Sequence, residues 1–228
     1  MERINIMTNL FKPKTFEEGI HAVVGDCNGI SAEERWEKET PVFAKAIADL
    51  CPRNGTLMDY GCGVGRIAKE ILFQRSDVKL IAVDNSQEMR DLALEYIGPE
   101  DGERFQVMHP DKLPSSGIAT CDVIYSIYCF QHIPAVHLTE ALRKVNWFLR
   151  ETGYFVYCSS ECRMAVRSDV DAFYDDRHLG VNVLAEVNKF FDTPEQLFTQ
   201  EVFDANPVVN SLVNGKIKHP ALKYQRRK

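Results

Sequence analysis

The chain has 228 residues, 45% of them apolar and 26% charged, with a formal net charge of −6. That length supports one sizeable core with a modest cap or lid but not two full domains. The acidic balance weighs against nucleic acid as the main partner, since a duplex binder shows a basic surface.

No apolar run reaches bilayer-spanning length, and Glu2, Lys12, Lys14, Glu17 and Glu18 interrupt any secretory core at the start. Seven cysteines form no CxxC pair and no Cys/His zinc spacing, so no metal site is expected. Reduced, mostly buried thiols in a cytoplasmic protein without a membrane contact follow. The basic run from Lys216 to Lys228 reads as a solvated terminal strand or tail.

Residues 1–30 look irregular, broken by Pro13, Gly19, Gly25 and Gly29. Ser31-Ala-Glu-Glu34 is a capping box that opens one or two helices through Leu50, with Pro41 at a break or restart. From Thr56 onward short strands and amphipathic helices alternate. Strands are expected at Thr56–Tyr60, Lys79–Val83, Arg104–Met108, Val123–Ser126 and Tyr154–Cys158. Helices are expected from about Arg66 to Phe73, from the Ser86 cap to about Tyr96, and along the Leu138, Leu142, Val145, Leu149 stripe that Gly153 ends.

This order implies right-handed crossovers and a doubly wound, mostly parallel α/β sheet with helices on both faces. The pattern lapses over 161–192. Thr193-Pro-Glu-Gln196 is expected to open a short helix, and Asn214-Gly215 to turn between two final antiparallel strands. The expected organisation is a single domain over 1–228: a helical cap (1–50), a cofactor-binding core (56–160), a substrate-side lid insert (161–192) and a closing helix with strands (193–228).

Leu57-Met-Asp-Tyr-Gly-Cys-Gly-Val-Gly-Arg66 carries the most information. Glycines 61, 63 and 65 let the backbone turn sharply at a strand end and approach a ligand. Asp84, at the end of the next strand, stands where a ribose needs an acceptor for its hydroxyls. A nicotinamide-dependent oxidoreductase must be weighed, because its GxGxxG turn is similar. That pattern would need a small residue at position 66, which is arginine. Asp59 beside the turn would repel a pyrophosphate and suits an ammonium.

Together these segments resemble the class I S-adenosylmethionine-dependent methyltransferases from about Thr56 to Ser159. Asp59-Tyr-Gly-Cys-Gly-Val-Gly65 is similar to the family's DxGxGxG loop, and Val83-Asp84-Asn85-Ser86 to its second strand end. His109-Pro-Asp-Lys-Leu-Pro114 resembles the loop whose acid, here Asp111, accepts from the adenine amine. Cys121-Asp-Val-Ile-Tyr-Ser126 with Gln131-His-Ile-Pro134 resembles the fourth strand and its loop beside the methyl group. Leu149-Arg-Glu-Thr-Gly153 departs from the family's LxPGG turn.

The resemblance implies a seven-stranded-type, Rossmann-like sheet and S-adenosyl-L-methionine as cofactor. Its expected contacts are Asp59, Gly61, Cys62, Gly63, Gly65, Arg66, Asp84, Asn85, Ser86, Met89, Asp111, Lys112, Leu113 and Ser126. His132 is the candidate general base, since its loop faces the crevice where the methyl group would sit. Trp36, Tyr128, Gln131, Tyr174 and His178 are candidates for the substrate side. The expected reaction is methyl transfer to an O or N atom of a small-molecule acceptor. Alternatives are a non-catalytic cofactor-binding partner subunit and a protein methyltransferase. Neither the Pro-Pro-aromatic tetrapeptide of amino-methylating DNA enzymes nor a Pro-Cys nucleophile is present. Nothing in the sequence fixes the oligomeric state.

Overall fold

The structure is a computed structural model that describes residues 11–114, 119–158, 183–214 and 221–226. Its centre is a seven-stranded sheet in the order β3-β2-β1-β4-β5-β7-β6. The strands are β1 (Thr56–Tyr60), β2 (Lys79–Val83), β3 (Phe105–Met108), β4 (Cys121–Ile127), β5 (Leu149–Cys158), β6 (Glu195–Gln196) and β7 (Ala221–Gln225). The first five pair in parallel, and β7 pairs antiparallel with both β5 and β6.

Strand periodicity divides the core. Leu57, Val123, Tyr125 and Val156 enter one apolar cluster, while Met58, Ile124, Phe155 and Tyr157 enter the other. Successive side chains leave opposite faces of a strand, so each buried strand must be apolar on both sides. Helix α2 (Ala32–Leu50) contributes Phe43 and Ile47 to the first cluster, and α3 (Arg66–Gln74) contributes Ile71 and Leu72. Helix α5 (Ala135–Phe148) covers the opposite face with Leu138, Leu142 and Val145. That is the doubly wound arrangement.

The N-terminal region is more regular than its glycines suggest. Helix α1 (Phe16–Val23) is capped by Thr15, whose side chain accepts from the Glu18 amide. Ser31 caps α2 as the capping signal requires. That helix runs unbroken through Pro41, which sits on its exposed side, where the carbonyl it leaves unbonded can face solvent. Ser86 caps α4 (Gln87–Ile97) by accepting from the Met89 amide.

Several expectations near the C-terminus need correction. Gly153 does not end α5, because Leu149 already starts β5. Thr193–Gln196 holds no helix: Glu195 and Gln196 form β6, and Thr199 instead caps α7 (Gln200–Ala205). The run before Gly215 is helix α8 (Pro207–Asn214), with Val208, Val209, Leu212 and Val213 buried. Short apolar runs fit a strand or a buried helix equally until tertiary contacts choose. Within the expected insert, Val183–Phe190 is helix α6, whose Val187 joins the α5-side core. Residues Tyr174 and His178 lie outside the described residues. None of the described helices is long and apolar enough to cross a membrane.

Candidate functional site

The chain order reverses between β1 and β4, so their loops diverge at the carboxyl ends of the strands. A cleft of about 1060 Å³ opens there. Asp59, Gly61, Cys62, Gly63, Asp84, Asn85, Ser86 and Asp111 line it from the cofactor side expected of the sequence. Tyr128, Cys129 and His132 line it from the loop after β4.

The glycine turn has the required backbone. Gly61, Gly63 and Gly65 have φ of +87°, +52° and +81°, values a side chain resists. Protein atoms enforce glycine as well. A Cβ on Gly61 would overlap Cys129, and one on Gly63 would overlap Val23 of α1. At Gly65 a Cβ would crowd Ile97 and Ala93 of α4. Gly65 therefore serves the packing of α3 on α4 and does not line the cleft.

Asp84 is fixed by two backbone amides: the Gly63 amide donates to Oδ2 at 2.9 Å and the Ser86 amide to Oδ1 at 2.9 Å. Burial raises its proton affinity, and these amides oppose the rise. Each oxygen retains lone-pair capacity toward the cleft.

Asp59 is only 4% exposed and makes no ion pair among the described residues. Burial lifts its carboxyl to about 8, the Tyr125 hydroxyl facing it opposes that rise, and the Asp84 charge adds to it. A buried carboxyl on a cleft wall without a cation suits an ammonium-bearing ligand. This residue set fits S-adenosylmethionine, whose methionine part carries that group.

Other expected contacts fall elsewhere. Arg66 reaches the cleft wall, but its guanidinium is already engaged: Nη2 donates to Glu39 Oε1 at 2.8 Å and Nε to Thr40 Oγ1 at 2.7 Å. Met89 is fully buried against the core and cannot cover an adenine from there. Ser126 spends its hydroxyl on the Tyr60 carbonyl at 2.8 Å, tying β4 to β1. Lys112 and Leu113 do not line the cleft; the turn Pro110–Lys112 leaves Asp111 as its representative there. Asp111 is exposed, with Lys144 Nζ at 3.4 Å.

Trp36 does not line the cleft: it packs edge-on against Phe16 and Tyr96, with the Arg66 guanidinium over its ring. Tyr128, at φ +61°, donates to Glu39 Oε1 at 3.2 Å. Gln131 does not line the cleft and lies 3.2 Å from His132 Nε2. Phe11 packs edge-on against the His132 ring, with centroids 5.1 Å apart. Burial pushes His132 down to about 4, so its ring is neutral at pH 7 and a weak proton acceptor.

Two groups of lining residues were missed in the sequence. His137, Glu140, Ala141 and Lys144 form one face of α5, a spacing legible as a helical stripe. Phe11, Lys12, Ala22 and Val23 reach across from the N-terminal segment, held partly by Ser86 Oγ donating to the Phe11 carbonyl. Nothing local in the sequence marks that crossing. Among the described residues no group of three His, Cys, Asp or Glu side chains is placed to hold a metal ion.

Comparison with known proteins agrees with this architecture. A family described as "Methyltransferase domain" matches residues 32–197. An uncharacterized methyltransferase of Anoxybacillus flavithermus is 27% identical over 107 residues. That match spans 46% of this chain and 46% of the relative, less than half its length. A TehB-like S-adenosylmethionine-dependent methyltransferase from Corynebacterium glutamicum superposes with a TM-score of 0.54 at 16% identity, covering 82% of this chain and 88% of that one. Geranyl diphosphate C-methyltransferase from Streptomyces coelicolor, solved with Mg2+, geranyl diphosphate and S-adenosylhomocysteine, gives 0.61 at 13% identity over 100% and 99% of the two chains. Family match, strand order and glycine turn agree: the chain belongs to the class I S-adenosylmethionine-dependent methyltransferases.

Proposed function

We propose that the protein transfers the methyl group of S-adenosylmethionine to an O or N atom of a small-molecule acceptor. The observation that carries this reading is the convergence of Asp59, the left-handed glycine turn and Asp84 on one cleft of about 1060 Å³. That volume suits a cofactor together with a small acceptor. Phe11, whose carbonyl accepts from Ser86 and whose ring packs on His132, walls one side of this cleft. A cleft walled in this way favours a small acceptor over a protein one.

In this reading Asp59 takes the ammonium of the methionine part and Asp84 takes the ribose hydroxyls. Asn85 and Asp111 flank the adenine. The bound cofactor supplies an electrophilic methyl group on a sulfonium, so the chain's own task is chiefly alignment. Tyr128 and Cys129 would form the wall beside the acceptor. His132, neutral and packed by Phe11, would form part of that wall and be a weak base there. The acceptor atom would therefore carry a lone pair available without strong base catalysis.

Geranyl diphosphate C-methyltransferase shows the fold with a carbon acceptor. Carbon is accordingly the competing acceptor class here. Isothermal calorimetry with S-adenosylhomocysteine and with a nicotinamide dinucleotide tests the cofactor. Transfer of a labelled methyl group across a panel of carboxylic acids, amines, phenols and polyprenyl diphosphates tests the acceptor. Cofactor binding without turnover on any acceptor would support a non-catalytic subunit instead.

A further inference from the structure

Asp59 and Tyr125 are register partners on the adjacent parallel strands β1 and β4, so their side chains leave the same sheet face. Asp59 is 4% exposed and Tyr125 is fully buried. The Tyr125 hydroxyl is buried without a hydrogen bond of regular geometry, and the acid it faces is Asp59. Among the described residues no cation pairs with this acid. Asp84 approaches from the end of β2, Cys62 from the glycine turn and Cys129 from the loop after β4. Burial keeps both thiols protonated, so neither supplies charge to balance the carboxylate.

We propose that Tyr125 is a positioning residue for Asp59, aiming its carboxylate at the cofactor's ammonium, and that cofactor binding expels a proton from Asp59 to solvent. The inference rests on the reading that Asp59 receives the ammonium. The physical argument is one of compensation. A carboxylate 4% exposed, facing a single hydroxyl, is disfavoured when no cation occupies the cleft beside it, so it holds a proton. An arriving ammonium provides the missing charge, the proton leaves, and the Tyr125 O–H donates to the anion so formed. A phenol suits this position because, staying protonated there, it donates without adding charge. Phenylalanine would fill almost the same volume and provide no donor.

The test is calorimetric titration of S-adenosylhomocysteine between pH 6 and 9.5, in buffers of different ionisation enthalpy. Wild type should release close to one proton per cofactor bound below pH 8. Its affinity should rise about tenfold per pH unit up to about 8, then level off. Tyr125→Phe should move that levelling-off upward by about one pH unit, the size of one ordinary hydrogen bond. At pH 7 it should bind about tenfold more weakly, and at pH 9.5 it should match wild type.

Tyr125→Phe weakened equally at every pH, or unchanged at every pH, overturns the positioning role. Absence of proton release by wild type overturns the expulsion, and needs no variant to fold. Asp59→Asn should bind weakly and release no proton. If it binds weakly but still releases one, the proton comes from elsewhere and this inference fails alone. If it binds at wild-type strength, the ammonium reading itself fails.

Discussion

Two buried carboxylates near the same cleft behave in opposite ways. Glu39, on α2, is fully buried and lies between Arg35, whose Nε is 3.0 Å away, and Arg66, whose Nη2 is 2.8 Å away. Burial alone would raise its proton affinity, but the two guanidiniums overcome that and hold it ionised. Asp59 is buried almost as deeply, with no cation paired to it among the described residues, and its carboxyl is pushed up to about 8. Burial therefore identifies neither group's role. The difference is whether the described residues supply a counter-charge: Glu39 has two guanidiniums, and Asp59, which we propose receives the cofactor's ammonium, has none.

The largest expected effect breaks the structural half of this contrast. Glu39→Ala leaves two buried guanidiniums facing each other and should destabilise folding by about 3–5 kcal/mol. Urea denaturation of the variant would register it, and a loss below about 1 kcal/mol would mean the pair is not desolvated. On the ligand half, Gly63→Val must adopt φ near +52° and displace Val23. It should remain folded by circular dichroism yet bind S-adenosylhomocysteine about 100-fold more weakly, roughly 2.7 kcal/mol.

A smaller loss is expected at the acid that amides already satisfy. Asp84→Ala should weaken the same binding by about 1–3 kcal/mol, leaving ribose hydroxyls and the Gly63 amide without an acceptor. Unchanged affinity by calorimetry would remove the ribose assignment. The smallest effect is at His132, where His132→Asn should reduce turnover less than about tenfold, below the 10²–10⁴-fold range of a positioned base.

His132 should show itself in acid stability instead. Its folded value near 4 lies below the unfolded value of about 6.5, so the unfolded chain takes up a proton first. Stability should thus fall as pH drops from about 6.5 to 4, and fall less in the variant. Thermal midpoints across that range would show the difference. A turnover step in wild type anywhere between about pH 4 and 6.5 that the variant lacks would restore the general base.

Much of this molecule was legible one strand and one turn at a time. Five parallel strands, the Ser31 and Ser86 caps and the glycine turn follow from local periodicity and backbone chemistry. The lining of the candidate cleft was legible where it is local, at Asp59, Gly61, Gly63 and Asp84. Its other wall was read less well. Met89 and Ser126 sit in motif-bearing segments but point into protein, because the next residue along a helix or strand faces a different way.

The sequence by itself determined the doubly wound core and the place of the glycine turn, since these depend on spacing within about ten residues. The tertiary structure decided which charges are compensated. Arg66 looked free for a ligand until Glu39, 27 positions earlier, folded against it. The Asp59–Tyr125 facing pair depends on two strands 66 positions apart meeting in one register. It likewise decided that Phe11 and Val23 line the cleft. Electrostatic and packing partners act through space over a few ångströms, and no local pattern records which distant segment will arrive there.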